Sequence, residues 1–441
     1  MDIILIFGII LIGLLGFYLN GKHVLNPCVI ACSVFMISAL FSIYSKEKWG
    51  YELHAITVFV IISSLNIFMF GTCMGTYTAN LHFRKNTQFS QIRIPPCSFI
   101  IFLTIILLGF AFFNYQTVYK IAKAVHPEVD SLGNILKYAR IGILNYGYNN
   151  TRLDAYSTYF CRGISYVCLY IFIYDKVVHQ NKLLKNCYLL LPSIPLIIKM
   201  ILSTGRTQFI YFAVYILVVF GVLFFQKKGI SRKTFLKMIG AGLLTLILFL
   251  TVFSILQVLR EGSSKNIGDV IAYYTGMSIP SLDDFLVNGR EETFLIGDHT
   301  LFPVYDLLRK LGIDLPKLYA PYDFVYFNGT KGNVYTAFRR YIEDYTLLGN
   351  YIILLILGFV ASYSYNFIYK KRGQHLFLII YAMFIYPVFE ISIEERVFMN
   401  LISTGTVYNL IAIAIAYWIF FKQPFSMGKY TTLKFPKKEE L

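Results

Sequence analysis

The chain has 441 residues, of which 57% are hydrophobic and 15% charged, and its mean hydropathy is +0.60. Soluble globular proteins are about 45–50% apolar and about 25% charged, so a soluble protein is excluded. The net charge of +16 is arranged by connector. Nucleic-acid binding is the poorer explanation for it, since no RRM, zinc-finger or helix-turn-helix pattern is present.

In chain order, eleven apolar runs predict membrane-spanning helices: 3–19, 25–44, 55–79, 97–119, 156–174, 187–202, 208–225, 236–258, 347–369, 375–393 and 397–421. Only a helix satisfies its own backbone polar groups in hydrocarbon, and about 20 apolar residues cross it. The first run has neither a basic n-region nor a small-residue cleavage site and reads as a span.

Basic connectors alternate with mixed ones. Lys22, Arg84/Lys85/Arg93, Lys176/Lys182/Lys185, Lys227 to Lys237, Lys370/Lys371/Arg372 and the tail from Lys422 to Lys438 form the basic set. The connector 45–54 balances Lys46 and Lys48 against Glu47 and Glu52, and the loop 260–345 holds nine Lys/Arg against twelve Asp/Glu. The positive-inside rule makes the basic set cytoplasmic, with the N-terminus outside and the C-terminus inside. The expected organisation is then spans one to eight in 1–259 with an external loop at 120–155, a large external loop at 260–345, spans nine to eleven in 346–421, and a basic cytoplasmic tail, 422–441.

A short amphipathic helix is predicted over 131–144. In the large loop, IGDVIAYYTGM, SIPSLDDFLVN, TLFPVYDLLRKLG and NVYTAFRRYIEDY carry apolar residues at helical spacing, which predicts a folded cap rather than a tether. Tyr273, Tyr274, Tyr305, Tyr335 and Tyr341 offer rings to sugars or to the loop's own core. All seven cysteines lie in or at the ends of spans, which indicates packing residues rather than a disulfide framework or metal site. No internal repeat is visible.

Charges in the spans are the informative feature. Arg162, Lys199 and Glu390, with Glu394 one turn on, fall in the outer half of the expected membrane. Each costs about 2.5–3.5 kcal/mol at the bilayer centre and needs a partner or a wet cavity. In the connector STGRTQF, Lys199, Ser203 and Arg206 share one helical face if the helix continues that far. Arg260, Arg339, Arg340 and Arg396 border the same level. A ring of cations there suits a membrane-embedded diphosphate; snorkelling is the competing reading, though snorkelling cations favour the cytoplasmic ends.

At these residues the chain resembles the Wzy family of oligosaccharide repeat-unit polymerases. STGRT (203–207), YYTGMSIPSLDDFL (273–286), GDHTLFPVYDLL (297–308) and NVYTAFRRYIEDYTLLG (333–349) are similar to segments of that family. With the span count and the single large loop, the likeness covers nearly the whole chain. Arg340 stands where the family has proline, and Thr346 where glycine is commoner. The resemblance implies an all-α polytopic, GT-C-like fold of about eleven transmembrane helices in the bacterial cytoplasmic membrane, related to the O-antigen ligases. It implies transfer of a glycan from undecaprenyl diphosphate to a sugar hydroxyl of a lipid-linked repeat unit at the outer face. No nucleotide sugar, metal or cofactor is expected, and a chain-length regulator and a flippase are expected partners.

That chemistry needs cations for the leaving group and a base for the acceptor hydroxyl. Arg206 and Arg339 are the first assignments for the diphosphate, with Arg260, Arg340, Arg162 and Lys199 next. Asp344, Glu343, Asp284 and His299 are the candidate bases. Asp283–Asp284 also resembles a metal-binding acidic pair, but placement near a helix N-terminus after Ser281 explains it equally well. An O-antigen ligase is the nearest rival. A lipid-oligosaccharide flippase would carry charge through the full depth of its spans and have short loops on both sides.

Overall fold

The long helices turn apolar side chains outward. The computed structural model describes residues 1–86, 88–148, 151–203, 205, 207–244, 251, 267–289, 296–315 and 324–422. Its helices in chain order are α1 (Asp2–Leu19), α2 (Pro27–Tyr44), α3 (Lys46–Trp49), α4 (Ala55–His82), α5 (Cys97–Val125), α6 (Leu132–Asn145), α7 (Arg152–Val177), α8 (Ser193–Leu202), α9 (Thr207–Lys228) and α10 (232–244). They continue with α11 (Ile267–Gly276), α12 (Ser278–Asn288), α13 (Phe302–Lys310), α14 (Ala337–Lys370), α15 (His375–Phe384), α16 (Tyr386–Glu390) and α17 (Thr404–Phe421). Among the described residues seven, α1, α2, α4, α5, α9, α14 and α17, are long and apolar enough to cross a membrane. On α1 the stripe Leu5, Ile9, Ile12 and Gly16 is buried, while Ile3, Phe7, Ile10 and Leu14 face out. A helix in water would show polar residues there; an apolar outer face fits hydrocarbon.

The centre of the body is the contact between α4 and α14. A Cβ on Gly71 would lie 2.3 Å from the Leu355 carbonyl oxygen, and one on Gly75 2.4 Å from that of Phe359. Small residues thus let the two backbones touch, as helix pairs in membranes require. Hydrogen bonds join the same interface: Thr76 Oγ1 lies 2.8 Å from Ser362 Oγ, and Asn366 Nδ2 donates to Thr76 at 3.1 Å. Here hydrogen bonding and close packing replace the hydrophobic drive that lipid removes.

Several predicted spans are realised differently. The run 187–202 becomes a 3₁₀ turn, Cys187–Leu190, followed by the ten-residue α8, with Pro192 and Pro195 at its start. The run 375–393 divides into α15 and α16, the second beginning around Pro387. The last run starts with a π-helical turn, Val397–Leu401, because the buried Glu395 carboxylate accepts the backbone N–H groups of Val397, Phe398 and Met399. Most of the run 236–258 lies outside the described residues.

The predicted loop helices form as α6, α11, α12 and α13, and the fourth segment enters α14. The chain is mostly helical rather than all-α, because Val325–Phe327 pairs antiparallel with Thr330–Gly332. Asn328 and Gly329, both at positive φ, supply the turn between them, an Asn-Gly pair suited to a two-residue hairpin. Asp283 and Asp284 sit within α12, not at its N-terminus. Asp283 instead caps the next element in space: it accepts from the backbone N–H of His54 (2.9 Å) and from Thr57 at the start of α4. Tyr335 and Tyr341 are buried packing residues, as are Cys28, Cys32, Cys161 and Cys168.

The basic connectors meet at one end of the body. Lys370 donates to the Phe83 carbonyl at 3.1 Å, Tyr174 to that of Ser90 at 2.6 Å, and Lys227 and Arg372 lie over the Phe89 ring.

Candidate functional site

At the opposite end, six helix termini surround a cavity of about 370 Å³. Its walls come from the first turns of α7, α9 and α17, the last turn of α8 and the break between α15 and α16. Local sequence sets each terminus. Thr151 and Asp154 form a reciprocal capping box that starts α7, Ser203 closes α8, and the Ser403 hydroxyl caps α17 by accepting from Thr406.

Arg162 and Lys199 both line this cavity. Arg162 donates from Nη1 to Asn409 Oδ1 at 2.9 Å and from Nη2 to Gln208 Oε1. Lys199, only 2% exposed, donates to Ser157 Oγ at 2.9 Å and to the Phe110 carbonyl at 3.5 Å. All four partners are neutral. Asp154 also lines the cavity, but Thr151 occupies its carboxylate through backbone and hydroxyl donors. No carboxylate among the described residues lies within ion-pair distance of either cation. Asp154 shares the cavity without an ion pair to either cation, and two cations without an ion pair among the described residues make the cavity a candidate site for an anion. Asn114, Asn400, Thr406 and Ser403 add polar groups to the lining.

A second centre sits where the cap meets α14. His299 Nδ1 lies 3.0 Å from Asp344 Oδ1, and its backbone N–H donates to the same oxygen at 3.2 Å. Thr300 donates to Oδ2 from its backbone (2.7 Å) and its hydroxyl (2.6 Å). An ionised carboxylate only accepts, so Nδ1 carries the proton and Nε2 is left 3.7 Å from Glu343 Oε1. Glu343 also binds Arg339 at 3.2 Å and Arg340 at 3.5 Å. Arg339 is fully buried, its guanidinium 3.8 Å over the Tyr335 ring and 5.2 Å from that of Phe285. Asp344 precedes the kink at Thr346 and lies outside the span 347–369. Burial raises its pKa, but the hydrogen bonds from His299 and Thr300 outweigh that, and the carboxyl titrates below its ordinary range.

The structure therefore gathers Asp344, Glu343, His299, Arg339 and Arg340 in one network, and Arg162 with Lys199 in another. Asp284 belongs to neither; it accepts from Asn288 on the exposed face of α12. Arg206 and Arg260 lie outside the described residues. The helix expected to carry Lys199 and Ser203 on towards Arg206 ends at Leu202, with Ser203 as its C-cap, and Arg206 itself lies outside the described residues. Arg396 is neutralised by Glu390, at 3.0 Å, and by Glu394.

No family model matches the chain, and no curated protein or solved structure matches it. The geometry of the two centres therefore carries the functional reading.

The chain from α16 onward runs between the two centres. Tyr211 and Tyr386, in the cavity wall, pack with ring centroids 3.9 Å apart and planes tilted by 33°, and α16 leads from there to Glu390, with Glu395 five residues further along the chain. Tyr341 donates to Glu395 at 3.1 Å from the α14 side, one turn from Glu343 and Asp344. Sequence reading passed over Asn409, Gln208 and Glu395. Asn409 and Glu395 are polar residues in or beside an apolar run, a signal that marks function or helix contacts but does not name the partner.

Proposed function

We propose that the chain is a membrane glycan polymerase of the Wzy type. In this reading it has about eleven spans in a GT-C-like arrangement, its N-terminus outside and its C-terminus in the cytoplasm. It transfers a growing glycan from undecaprenyl diphosphate to a hydroxyl of a lipid-linked repeat unit at the outer face of the bacterial cytoplasmic membrane. The observation that carries the reading is the cavity in which Arg162 and Lys199 meet neutral hydrogen-bond partners only among the described residues. The paired Arg339, Arg340 and Arg396 already have carboxylates, which moves Arg162 and Lys199 to the front of the diphosphate assignment.

The acceptor oxygen attacks the anomeric carbon of the donor glycan, and the bond from that carbon to the diphosphate oxygen breaks. The electron pair leaves with the lipid diphosphate, whose added charge Arg162 and Lys199 stabilise. The acceptor proton passes to a base, for which His299 Nε2 is suited because Asp344 fixes the ring and its tautomer. Arg206, in the connector beside Ser203 and Gln208, remains a candidate for the same diphosphate.

The test is binding of fluorescent undecaprenyl diphosphate by the purified protein, with polymer length in cells as a second readout. Arg162→Ala and Lys199→Ala should each weaken binding by about tenfold or more and abolish long polymer. Wild-type binding in both variants overturns the reading. A deletion strain separates polymerase from ligase: accumulated single-repeat units support the polymerase, and free long chains the ligase.

A further inference from the structure

A second cavity, of about 470 Å³, lies between α14 and the α15–α16 pair. Its walls are almost entirely apolar: α14 contributes from Leu357 to Ile368, and α15–α16 from Phe377 to Val388. At 1.5 Å per residue the stretch of α14 is about 17 Å long, so the space is a slot along the helix axis. One end reaches Phe83, at the basic end of the body. At the other end Phe384 forms part of both this slot and the cavity of Arg162 and Lys199. Leu401, in the slot wall, is the neighbour of Asn400 in the cavity wall. The buried hydroxyl of Tyr381, whose ring lines the slot, has no hydrogen-bond partner among the described residues.

The two spaces together describe an amphiphile with a multiply charged head and a long flexible apolar chain. We propose that the slot holds the polyprenyl chain of the lipid diphosphate whose head group sits at Arg162 and Lys199, an inference that rests on the reading of that cavity given above. Two cations whose hydrogen-bond partners among the described residues are neutral suit a diphosphate better than the single charge of a phosphodiester. The slot adjoins the cavity of those cations at Phe384, which favours the tail of the same lipid over the acyl chain of a bilayer phospholipid. Binding the chain along α14 also sets the direction from which the anomeric carbon is presented, beyond the cations and away from the basic end.

The experiment uses full-length protein in nanodiscs and three probes: undecaprenyl diphosphate, inorganic diphosphate and phosphatidylglycerol. Val360→Trp and Ser364→Trp fill the slot from α14. Each should weaken undecaprenyl diphosphate binding by about tenfold while inorganic diphosphate binds as before, which also reports an intact fold. Arg162→Ala should weaken both diphosphates. Unchanged lipid diphosphate affinity in both tryptophan variants overturns the slot and leaves the cation cavity standing. Failure of the wild-type protein to bind either diphosphate overturns the cavity and the slot together. Competition by phosphatidylglycerol as effective as that by undecaprenyl diphosphate assigns the slot to bilayer lipid and overturns the proposal. For variants that lose inorganic diphosphate as well, the wild-type protein is photolabelled with a polyprenyl diphosphate bearing a benzophenone on its chain. Labels within 357–368 and 377–388 support the slot, and labels only elsewhere overturn it.

Discussion

Arg162 reaches across from α7 to Asn409 on α17, donating to its side-chain oxygen at 2.9 Å, and the partner is an amide where a carboxylate would fit. An amide orients the guanidinium without cancelling its charge. Asn409→Asp would supply the missing counter-ion at nearly the same shape. Weaker lipid diphosphate binding, by about tenfold or more, is expected, with unfolding temperature equal to or above that of the parent protein. Titration with fluorescent undecaprenyl diphosphate measures this, and undiminished affinity would show that the charge of Arg162 is not used for an anion.

The His299–Asp344 contact makes a different demand, because in the proposed reaction it serves the base and not the leaving group. Asp344→Asn removes the charge and replaces one of the two accepting oxygens with an NH2 group, so the ring proton is no longer held on Nδ1 by an ionised carboxylate. Polymer formation should fall by about a hundredfold while lipid diphosphate binding stays within about twofold of the parent. Rescue by Asp344→Glu distinguishes a positioning carboxylate from a merely structural one. Equal loss of binding and of polymer in Asp344→Asn would count against the separation of the two centres.

Thr346 has φ 62° and ψ 179° where α14 kinks, a region that glycine enters freely and other residues avoid. The strain is worth about 1–3 kcal/mol. Thr346→Gly should therefore raise the unfolding temperature in detergent and leave the kink in place. A lower unfolding temperature would mean that contacts of the threonine side chain outweigh the backbone cost.

His54 and Asp283 predict a pH dependence for the docking of α12 on α4. The hydrogen bond that His54 donates to the Asp283 carboxylate, and then the charge of that carboxylate, raise the His54 pKa above the ordinary histidine value. A raised folded-state pKa means the added stability is fully present below the ordinary value and is lost as pH rises through the raised one. Proteolysis within 267–289 should accelerate across that window, and Asp283→Asn should remove the dependence. A flat cleavage rate in the parent protein would sink this.

Much of the fold was legible without coordinates. The positions of α1, α2, α4, α5 and α9, and of the loop helices α6, α11, α12 and α13, follow from apolar runs and helical spacing. Local pattern sets a helix wherever no partner is needed to satisfy the backbone. The breaks in 187–202 and 375–393 were less visible, although the prolines stand there, since a broken span keeps its apolar composition. The hairpin at 325–332 carried an Asn-Gly signal that helical spacing on either side obscured.

The sequence by itself determined that the protein belongs in a membrane, that its cations gather towards one end, and which residue types are available for a diphosphate and a base. Only the tertiary structure decided which cations are already answered. Arg339, Arg340 and Arg396 read from sequence like Arg162 and Lys199, but the first three fold against Glu343, Glu390 and Glu394, while the last two meet amides and a hydroxyl. Charge is a property of a residue; its neutralisation depends on distance, and distances between α7, α8, α14 and α17 are set by packing of segments far apart in the chain.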